Sequence, residues 1–268
     1  MFKKSLFTTL ILATFFLFNV APNALAETQE GTLTVVSYNI RHGSGMDGKL
    51  NLERTAETLK KLDADVIALQ EVDNQCKRSG SIDQAAKLGE MLGMKSHFVK
   101  FMDFQGGQYG LAILSRLPVS EKKTHVLPAG AEPRSAAEII LSVPLGGGKE
   151  RKVSFVSLHL DWTSSKKRLP QIKKLLDALK DREMPLVLIG DFNAKRGDPT
   201  LTTVQKAGYQ ILPHKNNAKT FPAKNPTQQI DFIAIKGLPN NGSQEIEVID
   251  EEVASDHRPL RVQLRCAP

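Results

Sequence analysis

Residues 185–193 read Pro-Leu-Val-Leu-Ile-Gly-Asp-Phe-Asn, an apolar run that ends in a carboxylate and a carboxamide. Such a run without alternation is the pattern of a strand covered on both faces, so the chain must build a sheet between two other layers. Gly190 ends the run. Asp191 and Asn193, two residues apart, can then point the same way from the strand end. Taken alone, this ending reads as an Asx turn that closes a strand. The pattern recurs, however. Val36-Ser-Tyr-Asn39, Ile67-Ala-Leu-Gln-Glu71, Phe155-Val-Ser-Leu-His159 and Ile230-Asp231 each set a polar group at the end or edge of an apolar run, and Ser255-Asp256-His257 directly precedes another. Six such endings in one chain read as strand ends converging on one cleft.

The start of the chain is of another kind. A basic Met1-Phe-Lys-Lys4 precedes an almost wholly apolar stretch to Ala21, and Ala24-Leu-Ala26 supplies a small-x-small cleavage site. This predicts a secretory signal peptide over residues 1–26, cut after Ala26, and a mature domain over residues 27–268. The expected location is secreted or periplasmic. The 36 Lys and Arg against 29 Asp and Glu give +7, and loss of Lys3 and Lys4 leaves +5. That surplus suits an anionic substrate but is modest. Export permits a disulfide between Cys76 and Cys266. Cys76 belongs to the loop above the proposed site, whereas Cys266 lies nine residues past His257, roughly 30 Å down the molecule at ~3.3 Å per residue. A bridge needs Cα atoms within about 7 Å, so two separate thiols are expected.

Apolar runs predict strands at 33–40, 65–72, 97–102, 111–115, 137–143, 152–160, 186–189, 230–235, 246–249 and 260–264. Asn51 is a plausible cap for a helix over 52–62, and helices are expected at 83–92, 165–179 and 200–207. Gly106-Gly-Gln-Tyr-Gly110 reads as a Gly-rich loop. The sequence holds no internal repeat or long linker. So many strands with so few helices favour two packed sheets flanked by helices over a simple doubly wound fold.

Glu71, Asp191, Asp231 and Asp256, with Asn39 and Asn193, are hard oxygen donors, and no Cys cluster or His-Glu-x-x-His accompanies them. Such a set suits Mg2+, Mn2+ or Ca2+ rather than zinc. Two histidines, His159 and His257, beside it suggest acid–base work, with Asp231 holding the His257 ring. Arg134 could bind an anionic oxygen. Metal, carboxylates, His and Arg together point to hydrolysis at phosphorus. No Gly-x-Ser-x-Gly elbow or Walker loop is present.

Ser37-Tyr-Asn-Ile-Arg41, Leu69-Gln-Glu-Val72, Ser157-Leu-His-Leu160, Gly190-Asp-Phe-Asn193, Ile230-Asp-Phe-Ile233 and Ser255-Asp-His-Arg-Pro259 resemble, in order, the motifs of the endonuclease/exonuclease/phosphatase (deoxyribonuclease-I-like) superfamily. The resemblance implies an α/β fold, a four-layer α/β/β/α sandwich of two mainly antiparallel sheets flanked by helices. It also implies Mg2+-dependent hydrolysis of a phosphoester. Carried over residue by residue, it makes Glu71 the main metal ligand with Asn39 in support and Asp256 near a second metal position. Asp191, helped by Asn193, would activate water. His257, held by Asp231, would contact phosphate, with His159 opposite as general acid or transition-state stabiliser. Arg41, Tyr109 and Arg134 would contact substrate. Two departures stand out. Gln108 sits where relatives often carry an acid that could brace the His159 ring, and Gln228 and Gln229 precede Asp231 where a basic residue is common.

The expected function is a secreted metal-dependent phosphodiesterase or nuclease. The alternatives are a phosphomonoesterase of an inositol- or sugar-phosphate, and a non-catalytic binding protein on the same fold. The substrate could be nucleic acid, a phospholipid headgroup or a small phosphodiester. No stable protein partner is inferred, and a monomer is expected. His42, His97, His125 and His214 are expected to be surface or loop residues outside the site. Lys166, Lys167 and Arg168 read as the solvated start of a helix, and Trp162 as either a pocket floor or a packing residue.

Overall fold

The computed structural model describes residues 31–240, 242 and 244–267. The expected signal peptide lies outside the described residues. Among the described residues twelve strands form two six-stranded sheets. The first takes β1 (Thr32–Asn39), β2 (Val66–Asn74), β3 (Lys95–Phe104), β4 (Gly107–Ser115), β11 (Glu247–Val248) and β12 (Leu260–Arg265) in the order β11-β12-β1-β2-β4-β3. The second takes β5 (Val119–Val126), β6 (Ser135–Gly146), β7 (Lys149–His159), β8 (Leu186–Asp191), β9 (Gln210–Ile211) and β10 (Asp231–Lys236) in the order β5-β6-β7-β8-β10-β9. Among the strand ladders of the described residues β1–β2 and β7–β8 are parallel and the others are antiparallel.

Three apolar layers hold this together. Leu33, Val35, Val66, Phe155, Val187, Ile189, Ile233, Ile235 and Val262 fill the space between the sheets. Helices α1 (Leu52–Lys60) and α2 (Gln84–Leu92) cover the outer face of the first sheet over Val36, Tyr38, Ile67 and Leu69. Helices α3 (Ser165–Leu179) and α4 (Pro199–Lys206) cover the second over Leu158, Leu186, Leu188 and Phe232. The four-layer sandwich is therefore the one expected. Asn51 caps α1 by accepting from the Arg54 amide at 2.8 Å, and Asp83 caps α2 through the Ala86 amide at 2.9 Å.

Three expectations need correction. The glycines at 106–110 form no loop: β4 starts at Gly107, and only a tight turn separates it from β3. β2 does not stop at Val72 but continues past a bulge to Asn74. β5 carries no apolar pattern and was not expected, because it is an edge strand that exposes Ser120 through Thr124 and is held by its ladder to β6. Cys76 and Cys266 are both buried free thiols. Among the described residues no helix is long and apolar enough to cross a membrane.

Candidate active site

Strand alternation builds the site. Odd-numbered residues of β1, β7, β8 and β10 face the other sheet. Their apolar members give way to a polar layer, in which Gln70 accepts from the Ser37 hydroxyl at 3.3 Å and donates to Ser157 at 3.4 Å. One step further along, the same faces present Asn39, His159, Asp191 and Asp231. His159, Asp191 and Asp231 are direct cross-strand neighbours in the second sheet. Gly190 makes this row possible: its φ is +143°, and a Cβ there would stand 2.0 Å from the Leu158 carbonyl oxygen. The loop before β12 brings in Asp256 and His257, tied to β1 by a 2.6 Å bond from the Ser255 hydroxyl to the Asn39 carbonyl.

Glu71 arrives differently. Alternation along β2 would set it with Ile67 and Leu69 under the helices. A bulge between Gln70 and Val72, with Glu71 at φ +56°, turns it out of that layer and into the cleft.

The groups meet closely. The Asn39 Nδ2 donates to Glu71 at 3.0 Å and lies 3.3 Å from Asp191, while its oxygen accepts the Arg41 amide at 3.1 Å. Asn39 thus braces Glu71 and turns its own oxygen toward the Arg41 loop. His257 Nδ1 lies 3.0 and 3.2 Å from the two Asp231 oxygens, as expected, and its Nε2 lies 3.7 Å from Asp191. His159 Nε2 is 3.5 Å from the same Asp191 oxygen. The Asn193 amide donates to Asp191 at 2.8 Å, and its side chain donates to the Leu160 carbonyl at 3.0 Å. Asn193 therefore fixes the carboxylate through its backbone.

Burial and charge set the protonation states. Loss of water and the neighbouring Asp231 carboxylate push Asp191 up, to about 7, against the pull of His257. Desolvation likewise raises Glu71, with the Asn39 hydrogen bond opposing it. Burial acts against a charged His257 ring, but Asp231 and Asp191 outweigh it and hold the ring at about 10. His159 goes the other way: burial, with Arg134 and His257 adding to it, holds it well below 6.5. Its Nδ1 is buried and has no partner. A neutral His159 can donate a hydrogen bond but is a poor general acid at neutral pH.

The residues fit a divalent cation. Crowded carboxylates whose pKa values are raised by desolvation and mutual repulsion are the environment a cation relieves. Among the described residues Glu71, Asp191 and Asp256 line one cleft, and Asp231 lies beside Asp191 across β8 and β10.

Above the centre lies a cleft of about 910 Å³. Arg134 lines it almost fully buried, with its Nη2 2.9 Å from Glu132 and its Nε and Nη1 unpartnered. Tyr109 is buried in the wall, edge-on to Phe101 at 5.8 Å. Arg41 sits at the mouth, 3.7 Å from Asp256. Trp162 proves to be a rim residue, 63% exposed.

Sequence reasoning missed several parts. Arg78 lines the wall, paired at 2.8 Å with the buried Asp73 and stacked 4.6 Å from the Phe104 ring centre. Phe221 lies 4.8 Å from the His257 ring. Arg168 is buried, not solvated, because it reaches Asp198 at 2.8 Å across 30 residues. His125 and His214 are also buried: His125 pairs with Glu138 at 2.8 Å, and His214 packs on Phe232 at 5.4 Å. Neither borders the cleft.

The sequence model of the Endonuclease/Exonuclease/phosphatase family matches residues 36–257. The chain belongs to this family. Members of the family hydrolyse phosphoester bonds, and their fold usually binds a divalent metal. Among curated protein sequences none matches the chain. Solved structures share its fold. A functionally unknown conserved protein from Enterococcus faecalis V583 matches with TM-score 0.72 at 21% identity, over 88% of this chain and all of that one. A family protein from Beutenbergia cavernae DSM 12333 matches with TM-score 0.69 at 21% identity, over 89% of this chain and 72% of that one. The mannosyl-6-phosphatase of Bacteroides thetaiotaomicron VPI-5482 matches with TM-score 0.66 at 20% identity, over 87% and 99%.

Proposed function

We propose that the chain is an exported, Mg2+-dependent phosphodiesterase. The observation that carries the diester reading is the shape of the cleft wall. Beyond the carboxylates, strands β3 and β4 of the first sheet contribute Met102, Phe104 and Tyr109, and loops at the end of the second sheet contribute Trp162, Phe221 and Ile230. A diester has a substituent on each side of phosphorus, and this cleft offers apolar side chains on both sides, from β3 and β4 on one and from the loops around His257 and His159 on the other. A monoester would fill only part of it.

The cation, held by Glu71 with Asp256, would withdraw charge from a phosphoryl oxygen. Asp191, at the end of β8 and fixed by the Asn193 amide, accepts the proton of the attacking water. Its alignment comes from the Asn193 amide and from Asn39. The charged His257 ring, fixed by Asp231, and the Arg134 guanidinium at the cleft wall would bind the phosphoryl oxygens. Neutral His159 donates a hydrogen bond to the developing charge.

Bis(p-nitrophenyl) phosphate and p-nitrophenyl phosphate, assayed with Mg2+, test the diester reading. Higher kcat/KM on the diester is expected; a preference for the monoester would assign the enzyme to the phosphomonoesterases. The export reading rests on the sequence of residues 1–26, and mass spectrometry of protein from the native host should find a mature chain beginning at Glu27. An intact Met1 would sink it.

A further inference from the structure

A buried polar knot lies behind the cleft wall, outside the reaction centre. Its hub is Asp161, two residues past His159 and 1% exposed. One carboxylate oxygen, Oδ1, accepts from the Thr163 amide at 2.8 Å, the Thr163 hydroxyl and the Ser164 amide at 3.3 Å, and so closes the turn into α3. The other, Oδ2, accepts from the Ala131 amide at 2.6 Å, in the loop between β5 and β6. Gly130 lies against the same oxygen. A Cβ at that position would stand 2.2 Å from it, so this close approach requires glycine. Gln171 on α3 accepts the Asp161 amide at 2.9 Å and donates to the Pro128 carbonyl at 3.1 Å. Loop 128–131 is thereby tied at two points to the strand end that carries His159.

The same loop runs directly into Arg134. The Gly130 amide donates to the Glu132 carbonyl at 3.2 Å, and the Leu127 amide donates to the Arg134 carbonyl at 3.0 Å. The Glu132 carboxylate pins Arg134 Nη2, and the guanidinium lies 5.1 Å from the Phe101 ring centre. The guanidinium lines the cleft, and a displacement of about 1 Å is enough to lose a contact between it and an anion bound there.

We propose that Asp161 is a positioning residue: through Oδ2 it latches Ala131 and Gly130, fixes Glu132, and so aims Arg134 at the phosphoryl group. The inference rests on the phosphoester reading of the cleft and deepens it. Asp161 touches no substrate in this account; it acts through Arg134.

Two variants release the latch and leave every cleft residue in place. Asp161→Asn can keep its oxygen on the three donors of the 161–164 turn, which leaves its NH2 against the Ala131 N–H, donor facing donor. Gly130→Ala pushes the loop away from the opposite side. Each is measured alone and combined with Arg134→Ala. The readouts are kcat/KM on bis(p-nitrophenyl) phosphate, the Kd for inorganic phosphate by calorimetry, and the thermal midpoint. Each latch variant should lower kcat/KM about tenfold and weaken phosphate binding in parallel. In the Arg134→Ala background the same changes should have less than about a twofold effect, while the thermal midpoint still shifts as it does alone. A full-sized loss in the Arg134→Ala background would overturn the proposal, and so would unchanged phosphate affinity in both latch variants. A wild type that binds phosphate but hydrolyses neither ester would defeat the functional reading, yet the latch would still be read from phosphate affinity. A wild type that binds no phosphate would remove the proposed role of Arg134, and the latch with it.

Discussion

Replacing Asp231 with asparagine removes the charge that keeps His257 protonated. The ring Nδ1 lies 3.0 and 3.2 Å from the two Asp231 oxygens. Burial alone would push this imidazole down; the Asp231 charge and hydrogen bond, with Asp191 adding to them, hold it at about 10 instead. The wild-type ring is therefore charged throughout the neutral range. The stability its charge contributes is fully present below its ordinary 6.5 and is lost as pH rises through about 10. In Asp231→Asn the main opposing cause is gone, burial dominates, and the ring is neutral at pH 7.5. Loss of a buried charge-assisted hydrogen bond costs about 1.5–3 kcal/mol, or a factor of about 10–150 in kcat/KM. Activity should recover partly as pH falls toward 5 and the ring regains its proton. Proton NMR of the His257 ring from pH 5 to 9 reads the cause, and kcat/KM over the same range reads the effect. The reasoning is refuted if wild-type His257 titrates near 6.5, or if Asp231→Asn stays within twofold of wild type at pH 7.5.

Two further predictions concern stability. Glu138 is buried, and burial alone would raise its pKa, but His125, Arg182 and Ser154 outweigh that and hold it at about 2. Against an ordinary 4.5 this contributes about 3 kcal/mol at neutral pH, fully present above about 4.5 and lost as pH falls through about 2. Urea unfolding at pH 7 and pH 3 should show a smaller acid loss in Glu138→Gln than in wild type; equal losses would contradict the assignment. Gly190→Ala places a Cβ 2.0 Å from the Leu158 carbonyl oxygen at φ +143°, and should cost about 3 kcal/mol or more in urea unfolding. A change under about 0.5 kcal/mol would show that β8 can shift without penalty.

Much of this architecture is legible in the sequence because its strands are covered on both faces. β2, β8 and β10 read as apolar runs for that reason, and the polar residues at the edges of those runs mark Glu71, Asp191 and Asp231. β5 is illegible: an edge strand that exposes five successive residues leaves no periodicity, and only its ladder to β6 makes it a strand. The aim of Glu71 is likewise hidden, since it depends on a bulge that no glycine announces. The long-range partners of Arg168 and His125 cannot be read locally, so both look like surface residues until Asp198 and Glu138 fold against them.

The central claim is that Asp191 activates water beside a bound cation on a phosphodiester. The direct measurement is hydrolysis of bis(p-nitrophenyl) phosphate by mature wild type and Asp191→Ala, with Mg2+ and with EDTA, beside circular dichroism of both proteins. The account predicts turnover in wild type with Mg2+, none with EDTA, and a loss of about 10²-fold or more in a folded Asp191→Ala. Turnover that survives EDTA, or a folded Asp191→Ala within tenfold of wild type, would contradict it.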